Sequence, residues 1–508
     1  MKNTVYKNAS VVTGLSVAER GLGFLYRIVL SRLIGAEGLG LYQVALSLFS
    51  LFLTIGTGGL PITLSRFLTK SKAERRPKDG ESAISAGFCL ALLLTLPIAT
   101  LLFLFGERLG FLFSDPRAFR VFRILLLGLS LSAVYAVVRG YFWGEKEFLL
   151  PSILEIAEES VMVIVGVLLL QNIDSPVIGA ERAAWAVVLS YLFSCTASLV
   201  CFFVKGGRFS SPKTQLKPLF NATMPITSVR ASSSLVNSAV AVLLPLMLIR
   251  AGMTSSEATA LFGVVSGMVL PLLFMPSTLI GSLSLVLVPE LAEDYYQHNE
   301  ERLVKNVERG LKFAFLVACA LIPIFFALGK ELGQLAFSNE TAGELLVRSG
   351  IILLPMSLTM ISTSMLNSMG FERQTFVFYF FGAAALLLSV LLLPSLCGIY
   401  AYVIGLFLSF FVTTVCNLVY LRRHCPFFRG ELKKVCLHNF LPLLLALVPL
   451  SLLGQLLSIA FNHILGAVLA AIFTFLILAF ATLALFALTG QMHFWGLLRK
   501  FFAKKGQK

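Results

Sequence analysis

The sequence predicts an all-α polytopic membrane protein with about fourteen transmembrane helices, arranged as two six-helix repeats plus two extra C-terminal helices. Three observations carry that expectation. Of 508 residues, 57% are apolar and only 13% charged, whereas an ordinary soluble domain is about 25% charged. Apolar runs of bilayer length, about 20 residues, recur along the whole chain. Lys and Arg cluster between those runs, on alternate connections. A 55.5 kDa globule could neither hide 44 phenylalanines nor face water with so few charges. A soluble enzyme, a disordered chain and a disulfide scaffold are therefore excluded.

The elements follow in order. The first run, 9–34, is interrupted by Glu19, Arg20 and Arg27, so it reads as an insertion signal that stays rather than one that is cleaved. Runs at 38–65, 82–105, 118–142, 150–171 and 183–204 follow, each bounded by charges or by Gly and Pro. A second group lies at 218–249, 258–289, 310–328, 342–368, 375–394 and 398–421, and two more runs at 437–457 and 464–489. With both termini in the cytoplasm, 28 Lys and Arg fall on the cytoplasmic side and five outside: Arg108, Arg117, Arg182, Arg250 and Lys330. Miscounting one early span would collapse that asymmetry, so it supports an even count and a multi-pass protein of the cytoplasmic (plasma) membrane with both ends inside.

The outer connections are short, and the chain has no GxxxxGK[ST], no HExxH and no nucleophile elbow. The expectation is therefore no enzyme, no cofactor and no metal. Eight scattered cysteines show no framework spacing. Cys425 and Cys436 with His424 and His438 fit no familiar zinc pattern.

Short matches recur at nearly constant offsets. Gly35 and Gly252 are 217 apart, Leu41 and Leu261 220, Gly144 and Gly370 226, and Pro61 and Pro289 228. They predict an N-terminal half at 1–204, a C-terminal half at 205–421 with the same topology, and two extra helices with a tail at 422–508. Parallel halves imply an axis along the membrane normal.

Ionisable residues at membrane depth mark a pathway or a pair. Arg20 and Arg27 are seven residues apart, about 700° of helical turn or −20°, so they share one face with Ser16 and Ser31. Thr223, Thr227, Arg230, Ser234 and Asn237 form a matching stripe, expected to face the first across a cavity. Arginine grips phosphate oxygens bidentately and keeps its charge. Arg20, Arg27, Arg66, Arg230 and Asn237 are thus the expected substrate-binding set. The open alternative pairs these arginines with Glu155, Glu158 and Glu159, which serve as counter-charges or as a coupling site. Arg66 reads equally as a snorkelling anchor, and Arg32, Arg120, Arg123 and Arg139, near span ends, as anchors.

Several stretches resemble a known family. They are Arg20-Gly-Leu-Gly-Phe-Leu-Tyr-Arg27, then Ser31-Arg32-Leu-Ile-Gly35-Ala36-Glu37-Gly38-Leu-Gly40-Leu-Tyr42-Gln43. Gly59-Leu60-Pro61 with Ser65-Arg66 belongs with them, as does Arg139-Gly140-Tyr141-Phe142-Trp143-Gly144. The chain resembles the stage V sporulation protein B-like polysaccharide transporters of the multidrug/oligosaccharidyl-lipid/polysaccharide exporter superfamily. It is more distantly similar to the bacterial lipid II flippases, which also have fourteen spans. The resemblance implies a flippase or exporter moving an anionic polyprenyl-pyrophosphate-linked saccharide, lipid II-like or a polysaccharide precursor, for peptidoglycan, spore-cortex or surface polysaccharide synthesis. It implies alternating access by rocking of the halves and a polyprenyl tail lying against the last two spans. Its other expected partners are membrane lipids, with no nucleic acid, and the protein is expected to be monomeric. The alternative is a cation-coupled multidrug antiporter of the same superfamily, which would want an acidic cavity and usually has twelve spans.

Overall fold

The computed structural model describes residues 2–488 except 107, 109, 111–112, 425–440 and 466. Most of the basic connection 422–434, the last run's end, the C-terminal tail, Cys425, Cys436 and His438 lie outside the described residues. No strand occurs among those described.

The helices are α1 (Lys2–Thr57), α2 (Leu60–Ala73), α3 (Pro77–Phe105), α4 (Arg117–Gly144), α5 (Leu149–Leu169) and α6 (Pro176–Val204). They continue with α7 (Lys213–Arg250), α8 (Ser255–Gly263), α9 (Leu270–Phe274), α10 (Ser277–Tyr296), α11 (Glu300–Phe337) and α12 (Glu340–Ser349). The last are α13 (Leu353–Ser368), α14 (Glu372–Leu392), α15 (Pro394–Cys397), α16 (Tyr400–His424), α17 (Leu441–Leu465) and α18 (Ala467–Leu488). A π-helical turn, Val264–Val269, joins α8 to α9.

Ten helical stretches among the described residues are long and apolar enough to cross a membrane. One of them, Gly14–Ala73, is 60 residues, about 90 Å of helix at 1.5 Å per residue. That is some three times the ~30 Å hydrocarbon core. It bends at Gly35, where φ is 69°, a left-handed conformation that glycine adopts without steric cost. α5 stands outside the ten because Glu155, Glu158 and Glu159 lie within it. The protein is therefore multi-pass with ten or more apolar helices, and fourteen remains the expectation from sequence. α3 shows what surrounds them. It has the highest hydropathy of these stretches and yet buries little of itself, with Leu93, Leu101 and Leu104 bare. In water such a face would associate; in lipid it is the ordinary outer surface.

The chain packs into two compact units, Met1–Met268 and Val269–Lys508. α7, which opens the second predicted repeat, packs within the first unit.

In the first unit, Leu60, Leu64, Val137, Tyr141, Phe142 and Phe202 form a core between α2, α4 and α6. Two of the sequence motifs meet there. A Cβ on Gly140 would stand 2.9 Å from the Pro61 Cα, so glycine is what lets α4 lie against the start of α2. At one end of α4, Arg117 bonds Asp115 at 2.7 Å and Glu37 at 2.7 Å, tying α4 to the bend of α1. At the other end Lys72 pairs with Glu145, and Lys205 with Glu147 at 2.9 Å.

In the second unit, Ile280, Leu291, Leu311, Ile361, Met365 and Leu366 build the core. α13 and α16 share a polar seam: Thr359 meets Thr414 at 2.7 Å, and buried Asn417 donates to Ser362 and Thr363 at 3.0 and 2.9 Å. Such bonds hold helices together where the surrounding lipid gives no hydrophobic drive. α17 and α18 pack on α11. Ser458 donates to Glu331 at 2.6 Å, and a Cβ on Gly454 would meet Ala327 and Leu478.

Candidate substrate site

The site is built around the break between α1 and α2. Where a helix stops inside a membrane, its free backbone groups need partners, and α7 supplies them. Gly59 N donates to Thr227 Oγ1 at 3.0 Å, and Arg230 Nη1 donates to Gly58 O at 2.8 Å. Thr63 meets Thr223 at 2.7 Å, Thr54 meets Ser234 at 3.0 Å, and Ser238 donates to Ser47 O at 2.7 Å.

The α7 stripe therefore has the periodicity the sequence predicts but a different placement. Thr223, Thr227 and Ser234 form the seam that holds α7 to Ser47–Thr63 rather than standing opposite Arg20 and Arg27. Arg230 spends one nitrogen on the seam and is otherwise exposed, so the rest of its fork of donors is free. Asn237, about two turns further, is exposed, and so is Arg66 on α2.

Arg20 and Arg27 lie in the unbroken part of α1 before Gly35, so the one-face geometry holds. Arg20 is exposed and Arg27 half-buried. Neither makes an ion pair with another described residue.

The glutamates of α5 separate. Glu155 pairs with Arg139 of α4, Nη1 to Oε1 at 3.1 Å. The Arg139 guanidinium lies over the rings of Tyr135 and Trp143, 5.8 and 5.3 Å from their centroids. Arg139 is thus a paired residue and not the span-end anchor that its position in the sequence suggests. Glu19 is within electrostatic reach of Arg139 and Glu155. Glu158 turns toward α6, beside Ser194 and Tyr191, and its Oε2 has no partner among the described residues. Glu159 turns toward α1. Its Oε1 lies 2.7 Å from where a Cβ on Gly23 would stand, and Arg27 is within electrostatic reach. Gly23 falls between Arg20 and Arg27 along α1, so this carboxylate lies near Arg27 without an ion pair, and Glu19 is also within its electrostatic reach.

Sequence reading missed Arg139 and Gly23. The only signals were Tyr135 and Trp143 four residues either side of Arg139, and a glycine at the one position where the arginine face needs room. Among the described residues, no group of three His, Cys, Asp or Glu side chains could hold a metal ion.

With this geometry in hand, the chain can be set beside known proteins. It is 26% identical over 355 residues to stage V sporulation protein B of Bacillus subtilis (strain 168), covering 67% of this chain and 68% of that one. It is 21% identical over 412 residues to lipid II flippase MurJ of the same organism, covering 74% of each. Among solved structures, it superposes on a lipid II flippase MurJ in an inward closed conformation with a TM-score of 0.70. The identity there is 13%, over 94% of this chain and 98% of that one. It superposes on an inward-facing multidrug resistance MATE family transporter of the MOP superfamily with a TM-score of 0.69, at 15% identity over 81% and 96%. These superpositions show that the chain has the fold of those membrane transporters. A family model described as polysaccharide biosynthesis protein matches residues 5–293, which hold every arginine and glutamate of the site, and the chain belongs to that family.

Proposed function

We propose that the protein flips an anionic polyprenyl-pyrophosphate-linked saccharide from the inner to the outer leaflet of a bacterial cytoplasmic membrane. Arg20, Arg27 and Arg230 grip the pyrophosphate, Arg66 meets it at the entrance, and Asn237 bonds the sugar. The tail stays in lipid beside α17 and α18. The protein works as a monomer with both termini in the cytoplasm. The likeness to stage V sporulation protein B suggests a saccharide of the spore cortex or cell wall.

One observation supports this reading most: two arginines share one face of α1 at membrane depth, and neither has an ion pair with a described residue. Exposing a guanidinium there is costly, and a purely structural role gives no return for it. A pyrophosphate supplies the bidentate oxygens that the forks lack. The substrate's charge also supplies a driving force. About two negative charges moving outward in a cell that is negative inside gain roughly 4–5 kcal/mol per 100 mV, so no coupled ion is required.

The carboxylates Glu19, Glu155, Glu158 and Glu159 support the rival reading, a cation-coupled drug antiporter. Proteoliposomes separate the two. On our reading, labelled undecaprenyl-pyrophosphate glycan becomes exposed in the far leaflet, while a cationic dye is not extruded under a proton or sodium gradient. Dye extrusion without glycan exposure would establish the rival.

A further inference from the structure

The three α5 glutamates differ in what holds them. Glu155 is fixed by the 3.1 Å bond to Arg139 and by the two aromatic rings around that guanidinium. Glu158 is turned about 100° away on the helix from Glu159, toward Ser194 of α6. Glu159 alone reaches the arginine face. Its Oε1 occupies the space that a side chain at Gly23 would fill, with Cδ 3.6 Å from that point. It makes no ion pair with a described residue; the charged groups within its electrostatic reach are the carboxylate of Glu19 and the guanidinium of Arg27. A carboxylate so placed puts anionic oxygens where a phosphate would put its own. It is held by no partner that must be broken before it moves.

We propose that Glu159 is the resident counter-ion of Arg27 on the arginine face, occupying the phosphate subsite there when the transporter is empty and swinging out when substrate enters. The inference rests on the reading that this face takes a phosphate-bearing head, and it adds how the empty face is stabilised and why the head can leave. An arginine pair with nothing opposite would hold a pyrophosphate too tightly to release it. A tethered carboxylate competes for the same donors and so favours release. Gly23 is part of the device, because any Cβ there would push the carboxylate off the face. The atom displaced is the far end of a flexible side chain, so Gly23→Ala moves Glu159 without breaking α1.

Binding of inorganic pyrophosphate to the purified full-length chain in detergent tests this. Glu159→Gln is expected to tighten binding by about tenfold, the size of one charge–charge coupling at a partly buried site. Gly23→Ala should tighten it similarly, and adding Gly23→Ala to Glu159→Gln should change nothing further, since both remove the same competitor. Arg27→Ala should abolish binding. A residue that merely packed α5 on α1 would not tighten anion binding when altered. Unchanged affinity in both Glu159→Gln and Gly23→Ala, with Arg27→Ala still abolishing binding, would overturn the counter-ion role and leave the phosphate site standing. No pyrophosphate binding by the wild type or by either variant would overturn the phosphate site and this inference with it.

Discussion

Arg139 donates from Nη1 to Oε1 of Glu155 across 3.1 Å, joining α4 to α5 inside the first compact unit. The pair is partly buried and walled by Tyr135 and Trp143, so losing one partner leaves the other charged in a poorly solvated place. Removing a partner from a fully buried pair costs about 3–5 kcal/mol, and exposed pairs contribute little; this one falls between, at about 2 kcal/mol. Glu155→Gln should lower the apparent melting temperature in detergent, and Arg139→Gln combined with Glu155→Gln should recover part of the loss. A single variant that melts like the wild type would show that the pair is not structural.

The seam between α7 and the α1–α2 break makes a second prediction. Thr227→Val leaves the buried Gly59 N–H without an acceptor, which costs about 1–3 kcal/mol. Its melting temperature should fall, while that of Thr196→Val should not, because Thr196 is exposed and bonds only its own helix at Leu192 O. Equal melting of the two variants would remove the seam from the account.

Asp115 gives a pH dependence. Burial alone would raise its carboxyl, but the hydrogen bonds and charge of Arg117 outweigh that and hold it below the ordinary 3.8. A folded-state value below the unfolded one stabilises the fold above the unfolded value and is lost as pH falls through the folded value. Melting temperature should therefore drop as pH goes below about 3.8, and Asp115→Asn should flatten that part of the curve. A wild-type curve no steeper there than the variant's would contradict the assignment.

Orientation is tested with single cysteines in a background of Cys→Ser replacements. Lys72 and Lys213 are exposed, as are Asp174 and Ser338. Cysteines at the first two positions, and at Lys504, should be shielded from an impermeant thiol reagent in intact cells, and those at Asp174 and Ser338 should react. Labelling at Lys504 from outside would mean an odd number of spans.

Much of this architecture was legible in the chain, and the parts that were not share a cause. Apolar runs become helices because length and hydropathy are local properties. The Gly35 bend falls where the first run was expected to end, since a glycine between two apolar runs is the cheapest place to leave the α region. The stripe on α7 was readable as a period, yet its use was not. Thr223 and Thr227 could equally face a cavity or a neighbour, and the deciding fact is the Gly58–Gly59 break some 160 residues earlier. Arg139 likewise looked like an anchor because its partner stands on the next helix, and only packing brings Glu155 to it. The Gly23–Glu159 contact is of the same kind: each residue is ordinary alone, and the meaning lies in α1 meeting α5.

The central claim is that the arginine face carries an anionic lipid-linked saccharide across the membrane. Its most direct measurement is the rate at which labelled undecaprenyl-pyrophosphate glycan becomes exposed in the far leaflet of proteoliposomes. Seven proteins would be compared at matched amounts: the wild type and the Arg→Lys and Arg→Ala variants at Arg20, Arg27 and Arg230. Lysine keeps the charge but not the bidentate fork, so each lysine variant should flip the glycan nearly as poorly as the corresponding alanine variant, about tenfold or more below wild type. Full activity in all three lysine variants, or no exposure by the wild type above empty liposomes, would contradict it.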